Sequence, residues 1–121
     1  MTETVKTDLK DLIIEGIRNR KGHDITLIDL SGIESAAASY FIIAEGNSST
    51  QTAAIAESVE EYVRVNSGLK PFGIDGADPG DWVIIDYGDT WVHIFLPETR
   101  NRYRLEELWS DASITEIPNL D

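Results

Sequence analysis

The stretch Trp82–Leu96, WVIIDYGDTWVHIFL, constrains this chain more than any other. Two runs rich in β-branched and aromatic residues flank a tight turn, YGDT, and that pattern predicts a hairpin. Alternation sends Val83 and Ile85 to one face and Trp82, Ile84 and Asp86 to the other. In the second run Val92, Ile94 and Leu96 share a face, while Trp91, His93 and Phe95 point the opposite way. Both faces are largely apolar, so these strands are expected inside a sheet that is covered on each side.

The segments around the hairpin supply the covering. TVKTDLKDLIIEGIRNRKG sets Val5, Leu9, Leu12, Ile13 and Ile17 on one stripe at helical spacing, with Lys21 and Gly22 suited to a helix end. DITLIDL gives a short β-like run through Ile25, Leu27 and Ile28. YFIIA is a continuous apolar run, as expected of a strand buried on both faces. GNSSTQTAAIAESVEEYVRVNSG then reads as a loop entering a second helix. Ser48 or Ser49 caps it, Ile55, Val59, Tyr62 and Val63 form its buried stripe, and Gly68 ends it. PFGIDGADPGD holds a short strand and turns, and Pro97 opens a short helix through PETRNRYRLEELW. Residues 113–121 carry little periodicity and read as a loose tail. The predicted fold is α/β (α+β), one domain over residues 1–121, with a mixed β-sheet flanked by helices.

Composition narrows the function classes. The 121 residues include no cysteine, which removes disulfide and thiolate chemistry and fits a cytoplasmic protein. No apolar run approaches the roughly eighteen residues of a membrane span, and the first residues lack the apolar centre of a secretion signal. Twenty-two acids against ten bases give a formal net charge of −12. Such a surface repels phosphate backbones and attracts basic ones, so direct nucleic-acid binding is not expected as the main contact.

Catalytic parts are scarce. EGNSST lies between a strand and a helix start, where backbone N–H groups can hold a phosphate, but it lacks the spacing and lysine of a P-loop. Helix capping accounts for the same residues without remainder. No Asp-x-Asp or Asp-x-Glu pair offers a magnesium site, and Asp75, Asp78, Asp81, Asp86 and Asp89 fall in turns, where aspartate bonds to backbone. Only His23 and His93 are present, with no H-x-x-x-H or H-x-H pairing, so no metal or other cofactor is expected. No G-x-S-x-G elbow is present either. The aromatics remain: Trp82, Trp91, Trp109, Tyr87 and Tyr103, residues that dominate interface energies when held on rigid elements.

WVIIDYGDTWVHIFLPETRNRYRLEELWSDA, together with DITLIDLSGIESAAASYFIIAEGNSSTQ, resembles the Iojap family, the ribosomal silencing factors. The carrying motifs are D-Y-G-D, V-H-I-F, the following proline, Y-x-L-E-x-L-W, and G-N-S-x-x-Q at Gly46, Asn47, Ser48 and Gln51. The resemblance implies a nucleotidyltransferase-like topology without that activity. It also implies binding to a basic protein of the large ribosomal subunit at the subunit-joining face, which blocks association with the small subunit and represses translation. Ser39, Glu45 and Trp91 depart from the family pattern. On this reading Trp82, Asp86, Tyr87, Asp89, Trp91 and His93 from the hairpin, with Tyr103, Leu105, Leu108 and Trp109 from the last helix, form the partner-binding surface. Leu108 and Trp109 can equally support that surface from beneath. A homodimer through the same face would compete with the ribosome. The alternative function is a nucleotide-binding or residual nucleotidyltransferase module using EGNSST.

Overall fold

The computed structural model describes residues 8–119. Its elements are α1 (Leu9–Asn19), β1 (His23–Asp29), β2 (Tyr40–Glu45), α2 (Ser49–Ser67), β3 (Gly73–Asp75), β4 (Trp82–Asp86), β5 (Thr90–Phe95), α3 (Pro97–Tyr103), α4 (Leu105–Leu108) and β6 (Ser113–Ile117). The strands make one six-stranded mixed sheet in the order β3-β4-β5-β2-β1-β6. Among the described strands only β2 and β5 run parallel, with Phe41 opposite Trp91 and Ile43 opposite His93. β4 and β5 form the predicted antiparallel hairpin, with Ile85 opposite Val92 and Val83 opposite Ile94. The mixed sheet flanked by helices is the fold class expected from the sequence.

α1 and α2 cover one face. Asp8 caps α1 by accepting from the Lys10 N–H at 3.0 Å, and Leu12, Ile13 and Ile17 are buried as the stripe requires. Val5 lies outside the described residues. Lys21, not Gly22, takes the left-handed conformation after α1, at φ 62°. The helices pack closely at Gly16, where an added Cβ would stand 2.8 Å from the Val59 Cα. Beneath them Val83, Ile85, Val92 and Ile94 join Ile42, Ile55 and Val59 in a fully buried core. Each such side chain contributes about 1.5–3 kcal/mol by leaving water.

The G-N-S-x-x-Q motif has a local purpose. Ser48 Oγ accepts from the Gln51 N–H at 3.1 Å, and Gln51 Oε1 accepts from the Asn47 N–H at 2.7 Å. Gln51 Nε2 then donates to the carbonyls of Arg20 and Lys21, tying the start of α2 to the end of α1. Gly68, at φ 79°, ends the helix as predicted.

Two sequence expectations are corrected. The stretch from 113 is not a loose tail throughout, because Ser113–Ile117 forms the edge strand β6, antiparallel to β1, with Ile117 opposite Ile25. Arg18 Nη2 donates to the Pro118 carbonyl at 2.9 Å and Asn119 Oδ1 accepts from the Asp24 N–H, also at 2.9 Å, so the pairing is fastened beyond the strand. The helix predicted from Pro97 is also broken. Arg104, at φ 48°, separates α3 from α4.

Candidate functional site

The second face of the sheet carries a continuous field of aromatic rings. Trp82 on β4 and His93, Trp91 and Phe95 on β5 share it through strand alternation, and Phe41 on β2 joins them through the parallel register. Tyr103 lies 4.7 Å from Trp82, and Trp82 stacks on Phe95 at 4.9 Å. His93 meets Phe41 edge-on at 4.5 Å, and Phe41 in turn contacts Trp91 at 6.1 Å and Trp109 at 6.2 Å between ring centroids. Offset and edge-to-face pairs of this kind contribute about 0.5–1.5 kcal/mol each beyond area burial. Ile28, Leu30, Ile43 and Leu105 lie buried under and beside the rings.

His93 is the polar centre of this field. Only 3 % of it is exposed. Its Nδ1 accepts from the Trp82 indole N–H at 3.1 Å, which places the imidazole hydrogen on Nε2. Nε2 is buried and has no hydrogen-bond partner among the described residues. Burial disfavours the imidazolium and pushes the pKa down to about 4. His93 is therefore a neutral acceptor that fixes Trp82, not a surface group.

The edge of the field is set by Arg100 on α3. Its Nη1 donates to the Asp24 carbonyl at 2.6 Å and to Glu45 at 3.1 Å. Nη2 donates to Thr26 Oγ1 at 2.9 Å and to Glu106 at 2.5 Å, and Nε reaches the same Glu106 oxygen at 3.0 Å. All five guanidinium hydrogens are used, joining α3 and α4 to β1 and β2. Desolvation raises the Glu45 pKa, and the Arg100 charge opposes that rise. His23, Asp24 and Glu45 bring ligand atoms within 4.8 Å of one another. Arg100 Nη1 lies 3.1 Å from Glu45 Oε2, so Glu45 is already engaged in an ion pair.

The ten residues predicted from sequence separate into distinct settings. Trp82, Trp91, Tyr103, Leu108 and Trp109 have exposed or half-buried side chains, with Tyr103 at 48 % and Leu108 at 68 %. His93 and Leu105 are buried beneath that surface. Asp86 and Asp89 shape the turn. Asp86 Oδ1 accepts from the Gly88 N–H at 2.7 Å, and Asp89 Oδ1 accepts from the Thr90 hydroxyl at 3.2 Å. Tyr87 departs from expectation: it is 8 % exposed and packs in the core on the α1–α2 side. Burial, and then the charge of Glu60, push its phenol up to about 12. The reading from sequence missed Phe41 and Arg100. The matching apolar runs YFIIA and WVHIF hinted at Phe41, but pairing between strands so distant in the chain is not written locally. Nothing in the sequence marks Arg100 among the three arginines of PETRNRYR.

The EGNSST loop is occupied by the capping bonds already described. Among the described residues no helix is long and apolar enough to cross a membrane.

Residues 3–121 match the model of a family described as ribosomal silencing factor during starvation. The chain is 37% identical over 99 residues to the ribosomal silencing factor RsfS of Bacillus subtilis, covering 82% of each sequence. It is 32% identical over 108 residues to the mouse protein named mitochondrial assembly of ribosomal large subunit protein 1, covering 88% of this chain and 47% of that one. A crystal structure of a Chromobacterium violaceum protein superposes with a TM-score of 0.79 at 36% identity, covering 84% and 83% of the two chains. The chain belongs to the ribosomal silencing factor (RsfS) family.

Proposed function

We propose that the aromatic face is a docking surface for a basic protein of the large ribosomal subunit at the subunit-joining face. Occupying that position blocks association with the small subunit and represses translation. The observation that carries the reading is the group Tyr103, Trp82, Trp91, Trp109 and Leu108, whose exposed and half-buried side chains leave aromatic and aliphatic surface over a rigid sheet, with Phe41 buried beneath them. Rigid Trp and Tyr side chains lose little conformational freedom on binding, and they are the anchors most often found at interface centres. The net charge of −12 favours a basic partner. The name of the mouse relative associates that protein with the large ribosomal subunit, which supports the same direction. In this reading the fold has no catalytic role.

The test is cosedimentation with separated ribosomal subunits, followed by a subunit-joining assay. The wild-type chain is expected to pellet with the large subunit alone and to reduce joined ribosomes. Tyr103→Ser with Leu108→Ser, both at exposed positions, should keep the thermal transition and weaken pelleting by tenfold or more, equivalent to about 1.4 kcal/mol. Undiminished pelleting of this double variant, or equal pelleting with both subunits, would remove the aromatic face from the reading.

A further inference from the structure

We infer that the side of the sheet opposite the aromatic field carries a second docking surface, fitted to a cationic segment of a partner protein that alternates aliphatic and basic side chains. The surface lies along the β3 edge, where the sheet meets α2. A groove of about 470 Å³ runs there between Ala53, Ala54 and Ala56 of α2 and Ile74 and Ala77 at β3. Thr50, Glu57 and Glu60 complete its walls, so every charged residue lining it is an acid.

Phe72, two residues before Ile74 in the chain, stands outside the groove's lining and adds exposed apolar surface at the same sheet edge. It is 82 % exposed, and Ile74 is 37 % exposed. The Phe72 ring is not loose in sequence terms: its backbone N–H donates to the Asp86 carbonyl at 2.7 Å, and the ring edge lies 3.1 Å from where a Cβ on Gly88 would stand. A large apolar side chain fastened at its backbone and left in water gains most by being covered. β3 itself is three residues long, exposed throughout and, among the described residues, unpaired on its outer edge.

Charge selects the occupant. From Leu69 to Asp89 the chain carries five aspartates and one base, Lys70. By register Asp75 and Asp86 face the aromatic side, so the groove's own negative rim is set by Glu57 and Glu60 beside an apolar floor. A second copy of this chain seated symmetrically on the groove would bring the same carboxylates against each other, which is unfavourable. A nucleic acid would meet the same repulsion. A segment with Lys or Arg interleaved with Leu, Ile or Val satisfies both parts: aliphatic side chains enter between Ile74 and the α2 alanines, and ammonium or guanidinium groups reach Glu57 and Glu60. The residues are distinct from those of the aromatic face, so both surfaces can be occupied at once.

The experiment is a titration of the ¹⁵N-labelled full chain with three synthetic peptides that alternate Lys with Leu, Lys with Ser, and Glu with Leu. The Lys–Leu peptide is expected to shift the amides of residues 53–60 and 72–77, with affinity that falls as salt rises. Phe72→Ser, and separately the double change Glu57→Gln and Glu60→Gln, should each weaken it by roughly tenfold, a loss of one good contact. Both variants alter exposed or rim positions, and an unchanged thermal transition confirms that the fold is kept. Equal binding of the Lys–Ser peptide would mean charge attraction alone and would overturn the proposal. So would shifts centred on Trp82, Trp91 and Tyr103, or sedimentation showing that Phe72→Ser abolishes a wild-type dimer.

Discussion

His93 links a single proton to the shape of the aromatic face. Its folded pKa, about 4, lies below the ordinary 6.5, so the folded state holds the imidazole neutral. The stabilisation from that preference is fully present above pH 6.5 and is lost as pH falls toward 4. The full difference corresponds to about 3 kcal/mol. A His93→Gln variant, which keeps an acceptor for the Trp82 indole, should lose less stability than wild type between pH 6.5 and 4, measured by chemical denaturation at each pH. Parallel pH profiles for the two proteins would show that His93 is not the group responsible.

Tyr87 shows where a residue was misread and why. A tyrosine beside Asp86 and Asp89 in a turn looks exposed, yet the alternation Val83, Ile85, Tyr87 already assigns it to the α2 side. Gly88, at φ 93°, lets the chain reverse without lifting the ring out. The Tyr87 hydroxyl is buried without a partner among the described residues. Tyr87→Phe should therefore be neutral or stabilising by up to about 1 kcal/mol, because an orphaned hydroxyl is removed. Tyr87→Ala should cost about 3 kcal/mol by opening a cavity. Thermal or urea unfolding of the pair distinguishes the two effects.

Among the elements, the hairpin and the central strand were legible because each has a strong local signal. WVIID and WVHIF alternate, and YFIIA has no polar residue to place outward. The strand β6 was not legible in the same way. Ile114 and Ile117 are three residues apart, which fits neither face of a strand consistently, and only the β-branched Ile114, Thr115 and Ile117 hinted at extended structure. Its formation depends on the open edge of β1, information that lies far away in the chain. Truncation after Ala112 should expose Ile25 and Leu27 along β1 and lower the thermal midpoint by several degrees, since even about 1 kcal/mol moves a domain of this size by roughly 4 °C.

The α3–α4 pair depends on a different device. It packs modestly, and Arg100 supplies the attachment with Glu45, Glu106, Thr26 and the Asp24 carbonyl. Arg100→Met leaves Glu45 and Glu106 without their counter-charge and should cost about 3 kcal/mol. Arg100→Lys should recover only part of this, because an ammonium has three donors where five are used. Faster proteolytic cleavage near Arg104 in Arg100→Met than in wild type would show that the pair has loosened. Unchanged cleavage would place the attachment in the apolar contacts of Leu105 and Trp109 instead.

Over the whole molecule, the sheet divides two kinds of chemistry. One side holds an aliphatic core under α1 and α2, and the other an aromatic field framed by α3 and α4. An acidic molecule approaching a basic protein is drawn by long-range attraction, which salt screens over a Debye length of about 8 Å at physiological ionic strength. If the proposed docking holds, association of the wild-type chain with the large subunit should slow as salt rises, while dissociation, set by the aromatic contacts, should change little. Stopped-flow or surface-based kinetics across a salt series measures both rates. The fold as a class followed from local periodicity. The site did not, because its members come from β2, β4, β5, α3 and α4, and only the strand order brings Phe41 between Trp91 and Trp109.

The pairing of β6 with β1 also has a consequence for how the chain is made. β1 is synthesised early and finds β2 soon after, but its other edge stays bare until residues 113–117 have been translated and released from the ribosome. During that interval a seven-residue strand edge, with Ile25 and Leu27 along it, is available to other unfinished chains. A polypeptide abandoned shortly before Ser113 would keep that edge permanently. Incomplete translation of this protein would thus leave a sticky fragment rather than a weakened regulator.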